Sequence, residues 1–216
     1  MNRREFSSAL VGTGLGAAAL SIAGPAVAQN GAPAEGTQYT RVDPPVPPIT
    51  AGKIEVIEFF SYACPHCNAF EPTVQAWSKK LPADVAFHRV PVPFLMNYEN
   101  FMRTYYALET LGQVEAMQSK VFAAVHIDRA RLDKPADIAA LMAKYGIDSA
   151  KFLDVFNSFS VATSVTRAKK LVAAYKVDGV PTLAVQGHYA TSPGQAGGAE
   201  QATAVVDFLI QKARKG

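Results

Sequence analysis

The chain has 216 residues, 49% of them hydrophobic and 18% charged, which supplies one sizeable core and excludes a disordered tail. Its 21 basic and 18 acidic residues leave a net charge of +3 without a long Lys/Arg block, which argues against nucleic acid as a partner. Two cysteines, Cys64 and Cys67, exclude a disulfide-rich scaffold, and their closeness says that they act together.

Residues 1–28 read as an export signal cleaved after Ala28. Arg3 and Arg4 supply the positive start, Leu10 to Ile22 the apolar stretch, and Ala26-Val27-Ala28 the small-residue cleavage site. Gly12, Gly14, Gly16 and Gly24 interrupt the apolar run, which falls short of a membrane span. Arg3-Arg4-Glu5-Phe6 resembles a twin-arginine signal with Asn2 where Ser or Thr is usual, so either translocation route is open. From Gln29 to Pro48 the chain turns rich in Gly, Ala and Pro and reads as an extended lead-in. Its end, Asp43-Pro44-Pro45-Val46-Pro47-Pro48, suits neither a ladder nor a helix interior.

Residues 49–95 begin the folded part. Ile54 to Phe60 is a β-rich run of buried-strand length, and Pro65 marks a helix start directly after it. Phe70, Val74, Trp77 and Leu81 give that helix a core face, and Pro72 inside it should bend the axis. Val85 to Val92 predicts a second strand. Residues 96–176 change to helical spacing, with Phe101, Tyr105 and Leu108 on one helix and Met117, Val121 and Val125 on the next. Ile138, Leu141 and Tyr145 mark a third, and Val161, Val165, Leu171, Val172 and Tyr175 a fourth, with Gly112 and Gly146 as helix stops. Residues 177–216 return to strands at Thr182–Val185 and Tyr189, with a turn near Gln186-Gly187. A closing helix follows, carrying Ala204, Val205, Phe208 and Leu209. The pattern is an α/β frame interrupted by a helical block.

Cys64-Pro65-His66-Cys67 sits at the first strand-to-helix junction, where a two-residue spacer brings both sulfurs within bonding reach across the first helical turn. That position exposes Cys64 at the positive end of the helix dipole and favours its thiolate, with His66 adding positive or hydrogen-bonding influence. Pro65 sets the turn, and Cys67, one turn in, is the more buried and acts second. A purely structural link would remove little chain entropy from so short a loop. Half a zinc site would need two more ligands, and His88, His126 and His188 lack ligand spacing, so no metal is expected. Chance occurrence in a surface loop fits poorly with an exported chain that has no other cysteine.

Val56-Ile57-Glu58-Phe59-Phe60-Ser61-Tyr62-Ala63-Cys64-Pro65-His66-Cys67 resembles the active-site strand and motif of the DsbA family of periplasmic thiol:disulfide oxidoreductases. Gly179-Val180-Pro181-Thr182 resembles that family's cis-proline loop. The resemblance implies a thioredoxin fold with an inserted all-helical domain, a monomer, and a strongly oxidising Cys64–Cys67 disulfide as the redox group, with no other cofactor. It implies newly exported, unfolded proteins with free cysteines as substrates, a DsbB-like membrane quinone reductase as the re-oxidising partner, and the periplasm as location. Val180 and Pro181 would contact substrate through strand-like backbone pairing. Glu58 shares a strand face with Ile54, Val56 and Phe60 among core side chains, where desolvation raises its pKa, and the family places an acid there to manage the proton of the buried cysteine. Arg89 lies where the family often has a basic residue, on too loose an alignment to enter the site. Pro72, the Pro-rich lead-in and the Gly-rich tract Ser192 to Gly198 depart from the family pattern.

In the implied reaction a substrate thiolate attacks Cys64, Cys67 is expelled, and a second substrate thiolate resolves the mixed disulfide. A hundredfold rise in Cys64 acidity would favour the reduced form by about 2.7 kcal/mol, or about 60 mV in this two-electron couple. A reductase or isomerase is the nearest alternative, although the 29–48 lead-in is too short for the dimerisation domain of a DsbC-type isomerase. A non-catalytic chaperone or binding module with incidental thiols is the alternative from another class.

Overall fold

The computed structural model describes residues 31–215, so the leader expected over 1–28 lies outside the described residues. The chain opens with β1 (Thr40–Arg41), β2 (Ile54–Phe60), α1 (Pro65–Ser78) and β3 (Val85–Pro91). Next come α2 (Tyr98–Thr110), α3 (Val114–His126), α4 (Pro135–Lys144), α5 (Ser149–Phe156) and α6 (Phe159–Ala174). It closes with β4 (Thr182–Val185), β5 (Tyr189–Thr191), the single turn α7 (Pro193–Ala196) and α8 (Ala199–Arg214). The sheet runs β1-β5-β4-β2-β3. β2 and β3 are parallel, which requires a crossover, and α1 supplies it. β4 lies antiparallel to β2 on its other side, and β5 and β1 continue the antiparallel half.

β2 is covered on both faces, which is why it reads as an unbroken apolar run rather than an alternating one. Val56 joins Phe70, Val74, Leu183, Val206 and Leu209 in a core between the sheet, α1 and α8. Ile57 and Phe59 join Met102, Leu108, Phe122 and Phe152 in the larger core of the helical block. Trp77 Nε1 donates to Asp207 Oδ1 at 2.8 Å and ties α1 to α8.

Several sequence expectations change here. Leu81, expected on the core face of α1, lies beyond the helix, which ends at Ser78. Ala204 faces solvent, because α8 buries Ala202, Val205, Val206, Leu209 and Ile210 instead. Tyr145 is the C-cap of α4 and half-exposed, with the Lys120 ammonium 4.4 Å from its ring centroid. The helical block holds five helices rather than four. α5 has only eight residues and two fully buried anchors, Phe152 and Phe156, too short a run to display a period, although Asp148 caps it by accepting from the Lys151 N–H at 2.8 Å.

The lead-in is also more than an extended approach. Thr40 and Arg41 pair with Ala190 and Tyr189, so residues within 29–48 complete the sheet. Beyond them the Val42 N–H donates to the His188 carbonyl at 2.8 Å and the Val46 N–H to the Gly187 carbonyl at 3.0 Å, holding the Pro-rich segment on the β4–β5 turn. That turn needs Gly187, whose φ is 69° and whose Cβ, if present, would lie 1.7 Å from the Val46 carbonyl oxygen. Gly187→Ala is therefore expected to cost about 2–4 kcal/mol in urea denaturation, through left-handed strain and displacement of the lead-in. An unchanged midpoint would show that the lead-in contributes nothing.

Candidate active site

Cys64 is the N-cap of α1. Its backbone is extended, at φ −89° and ψ 117°, and its Sγ accepts the Cys67 N–H at 3.4 Å. Pro65 occupies the first turn, where a missing N–H removes a donor that the helix could not satisfy. The Cys64 N–H donates to the Ser61 carbonyl at 3.1 Å and the Ala63 N–H to Ser61 Oγ at 3.1 Å, so Ser61 fixes the turn that delivers the thiol. On its open side Cys64 Sγ–H donates to the Val180 carbonyl at 3.4 Å. The Val180–Pro181 peptide is cis, as the resemblance to the family's loop implied.

Both cysteines are free thiols here. Cys64 was expected to be exposed. The first turn of α1 and the Val180 carbonyl leave it only 5% exposed, against 1% for Cys67. Pro65 and His66 are the outward residues of the motif.

The two sulfurs are driven apart in acidity. The Cys64 thiol is lowered to about 6, first by a hydrogen bond from the Cys67 thiol, then by the Cys67 and His66 backbone N–H groups, while burial opposes the shift. The His66 imidazole contributes least, which corrects the weight that the motif suggested for it. Burial pushes the Cys67 thiol strongly up, and the hydrogen bond to Cys64 and the charges of Cys64 and Glu58 push it further.

Beneath Cys67 lies a buried charge cluster. β2 and β3 run in a register that sets Glu58 directly beside Arg89, and Arg89 Nε donates to Glu58 Oε2 at 2.8 Å. Arg89 Nη2 also donates to Glu71 Oε1 and Oε2, at 3.2 and 3.1 Å. Glu71 belongs to α1, one turn beyond Cys67 on its buried side. One guanidinium thus faces two carboxylates. Burial pushes Glu71 up to about 8, with the Glu58 charge adding and Arg89 opposing. Burial also raises Glu58 against the pull of Arg89, which itself stays a cation. Burial thus favours the protonated form of both acids, and the charge of each raises the other while Arg89 opposes it.

Glu58 stands among core residues below the cysteines, as its strand position implied. The sequence reading missed its partners. Arg89 and Glu71 stand outside the site that the sequence motifs define, although an acid one turn after Cys67, on a helix face otherwise occupied by Phe70 and Val74, is a signal for it.

A cleft of about 490 Å³ adjoins Cys64, lined by His66, Ala69, Phe70, Val180, Pro181 and Pro193. It brings together the active-site helix, the cis-proline loop and the tract after β5. Among the described residues no three His, Cys, Asp or Glu side chains converge to hold a metal ion. His88, His126 and His188 lie apart, bonded to the Thr50 hydroxyl, the Tyr62 carbonyl and the Gln186 carbonyl respectively.

Residues 55–207 match the family model of the DSBA-like thioredoxin domain. The chain belongs to the DsbA-like thioredoxin family. It is 43% identical over 179 residues to the thiol:disulfide interchange protein DsbA of Pseudomonas aeruginosa, covering 83% of this chain and 85% of that protein. With DsbA of Bordetella parapertussis it shares 42% identity over 216 residues, the whole of both chains. The crystal structure of Pseudomonas aeruginosa DsbA matches with a TM-score of 0.82 at 42% identity, over 85% of this chain and 95% of that one. DsbA from Xylella fastidiosa matches with a TM-score of 0.78 at 30% identity, over 85% and 99%. These relationships make the sheet and its inserted helices a DsbA-like thioredoxin fold.

Proposed function

We propose that this chain carries a Cys64–Cys67 disulfide and donates it to exported polypeptides through a mixed disulfide on Cys64. The chain is a protein thiol:disulfide oxidoreductase of the DsbA-like family. What carries the direction of transfer is the split between the sulfurs, Cys64 lowered to about 6 and Cys67 held far above it.

A substrate thiolate attacks Cys64 Sγ and breaks the bond to Cys67, which leaves with the electron pair and takes up a proton in its buried position. The protonated member of the Glu58–Glu71 pair is the adjacent acid. A second substrate thiolate then attacks the substrate sulfur of the mixed disulfide and releases Cys64 as a thiolate. The substrate loses two electrons and the chain keeps the dithiol. Cys64 is the better leaving group because its thiolate is the stabilised one. When Cys64 ionises it no longer donates to the Val180 carbonyl, which becomes free to accept a backbone N–H from an extended substrate over Val180 and Pro181.

No metal or organic cofactor takes part, and a DsbB-like membrane quinone reductase restores the disulfide. The mature protein works as a periplasmic monomer after cleavage behind Ala28. No helix among the described residues is long and apolar enough to cross a membrane. The test is the ultraviolet titration of the Cys64 thiolate together with the glutathione equilibrium of the pair. A midpoint near 6 with an oxidising equilibrium supports the donor; a titration like that of free cysteine, or a reducing equilibrium, removes it.

The order of causes at Cys64 yields a finer expectation. His66→Pro deletes both the imidazole and a backbone N–H that faces the sulfur, whereas His66→Ala deletes only the imidazole. The Cys64 midpoint should rise clearly in the proline variant and by less than half as much in the alanine variant. Equal shifts would return the main role to the imidazole charge.

A further inference from the structure

A second cleft of about 450 Å³ opens between the active-site turn and the helical block, and no residue of the cis-proline loop lines it. Ala63, the residue before Cys64, forms part of its wall, and Phe101, Val125 and Leu132 give it an apolar floor. Two loops build its rim, one through Met96 and Asn97, with Leu95 next to them in the chain, and one through Arg129 to Asp133.

These loops are held in costly conformations. Leu95, Asn97 and Arg129 have φ of 72°, 58° and 51°, three of the five left-handed non-glycine residues among the described ones. Such a conformation is unfavourable for a residue with a side chain and persists only where its surroundings impose it. Here they do. Asn97 Nδ2 donates to the Leu132 carbonyl at 2.5 Å and Asn100 Nδ2 to the Asp133 carbonyl at 2.7 Å, locking the loops together. His126 Nε2 lies 2.8 Å from the Tyr62 carbonyl, which can only accept, so Nε2–H donates and ties the second loop to the active-site turn.

The result of this bracing is an apolar pair turned outwards, Met96 at 80% exposure and Leu95 at 47%. Scattered exposed hydrophobes need no explanation, but a braced pair at the edge of an apolar cleft beside a reactive thiol marks an interaction surface. Arg131, on the same rim, is held by Asp133 at 3.2 Å. Arg129 is exposed and has no ion pair among the described residues. Asp128 stands on the same loop outside the cleft lining.

We propose that this cleft is a second substrate-contact surface, which receives the polypeptide on one side of its reactive cysteine, an apolar side chain against Met96 and Leu95 and a carboxylate against Arg129. The inference rests on Cys64 being the sulfur that substrate attacks. An extended chain advances about 3.3 Å per residue, so the second or third residue from the substrate cysteine reaches the cleft past Ala63. The chain then spans both clefts with its cysteine over Cys64. A pre-braced surface suits a catalyst of unfolded chains, because the ordering cost falls on the substrate alone.

Two cysteine peptides test this, identical except for Glu or Lys two residues from the cysteine, each used to reduce the oxidised protein under pseudo-first-order conditions. The ratio of their rates, compared between the native chain and Arg129→Glu, cancels the acidity of the peptide thiols themselves. The native ratio should favour Glu by about threefold at low ionic strength relative to the variant, and the difference should shrink as salt rises. Met96→Ser should slow a peptide with Leu at that position without altering the rate with glutathione. The Cys64 titration and the glutathione equilibrium should be the same in both variants. Ordinary exchange with equal Glu/Lys ratios in native and variant protein overturns this surface alone. A protein inert toward glutathione overturns the exchange reading and the surface with it.

Discussion

Arg89→Met is expected to destabilise the protein by about 3–5 kcal/mol, because it leaves two buried carboxylates without the cation that, among the described residues, faces both. Methionine keeps most of the aliphatic volume, so the loss is electrostatic rather than a cavity. Its pH dependence is the decisive sign. Glu58 and Glu71 are raised in the fold above the value of 4.5 usual for glutamate, so the folded chain holds their protons more tightly than the unfolded chain does. Such a group brings no penalty below its unfolded pKa, and stability falls as pH rises through the interval up to the folded value, about 8 for Glu71. Removing Arg89 raises both acids further. The deficit should therefore be small near pH 4, larger at pH 8 and still growing above it, because native and variant chains diverge only as pH passes the native folded values; urea midpoints at pH 4 and pH 8 read the difference. Adding Glu58→Gln and Glu71→Gln to the variant should restore most of the stability at pH 8. A deficit of the same size at both pH values, unrelieved by the glutamines, would locate the role of Arg89 in packing.

The reduced protein should gain stability over the oxidised protein as pH rises from 6 to 9. Cys64 is lowered in the fold from an ordinary 9 to about 6. A depressed acid stabilises the fold in full above its unfolded pKa, and the contribution is lost as pH falls through the folded pKa. Only the dithiol form titrates, so this contribution survives in the difference between forms, whereas much of the Glu58–Glu71 effect is common to both. After allowance for screening by water at the mouth of the site, the difference should be roughly 1 kcal/mol at pH 7 and roughly 3 kcal/mol near pH 9, above which the raised Cys67 thiol, ionising only in the unfolded chain, reverses the trend. At pH 7 that corresponds to about 20–30 mV of added oxidising power, less than the value for full ionisation suggests. Paired urea denaturation of the two forms at pH 5, 7 and 9 measures it. A difference that is flat or falls with pH would mean that the fold does not favour the thiolate.

The legible part of the site was local. β2 occupies Ile54–Phe60 and α1 begins at Pro65, as the apolar run and the N1 proline require. The cis-proline at 181 and the stops at Gly112 and Gly146, both with left-handed φ, follow from short motifs whose meaning lies in a few adjacent residues. The missed parts were those without a local signature. β1 is two residues long and α5 eight, too brief for a period to emerge, and both depend on distant segments: β5 pairs with the exposed β1, and the helical core buries Phe152 and Phe156 of α5.

The motif located the chemistry but misjudged its source. His66 is the only ionisable neighbour visible between the cysteines, and it matters less than the thiol and N–H groups that the helical turn folds back onto Cys64. That is a consequence of three-dimensional placement, since a hydrogen bond at contact distance outweighs an exposed charge screened by water.

By itself the order of residues determined which sulfurs react, which strand and helix hold them, and that the strand is buried on both faces, because these depend on neighbours within one or two turns of chain. The tertiary structure alone decided that Glu58, Glu71 and Arg89 meet below Cys67. Their sequence separations of 13, 18 and 31 close only once β2 and β3 take a parallel register and α1 packs across them. Short-range preferences are written into adjacent side chains, whereas the partner of a buried charge is chosen by whichever distant segment shares its low-dielectric space.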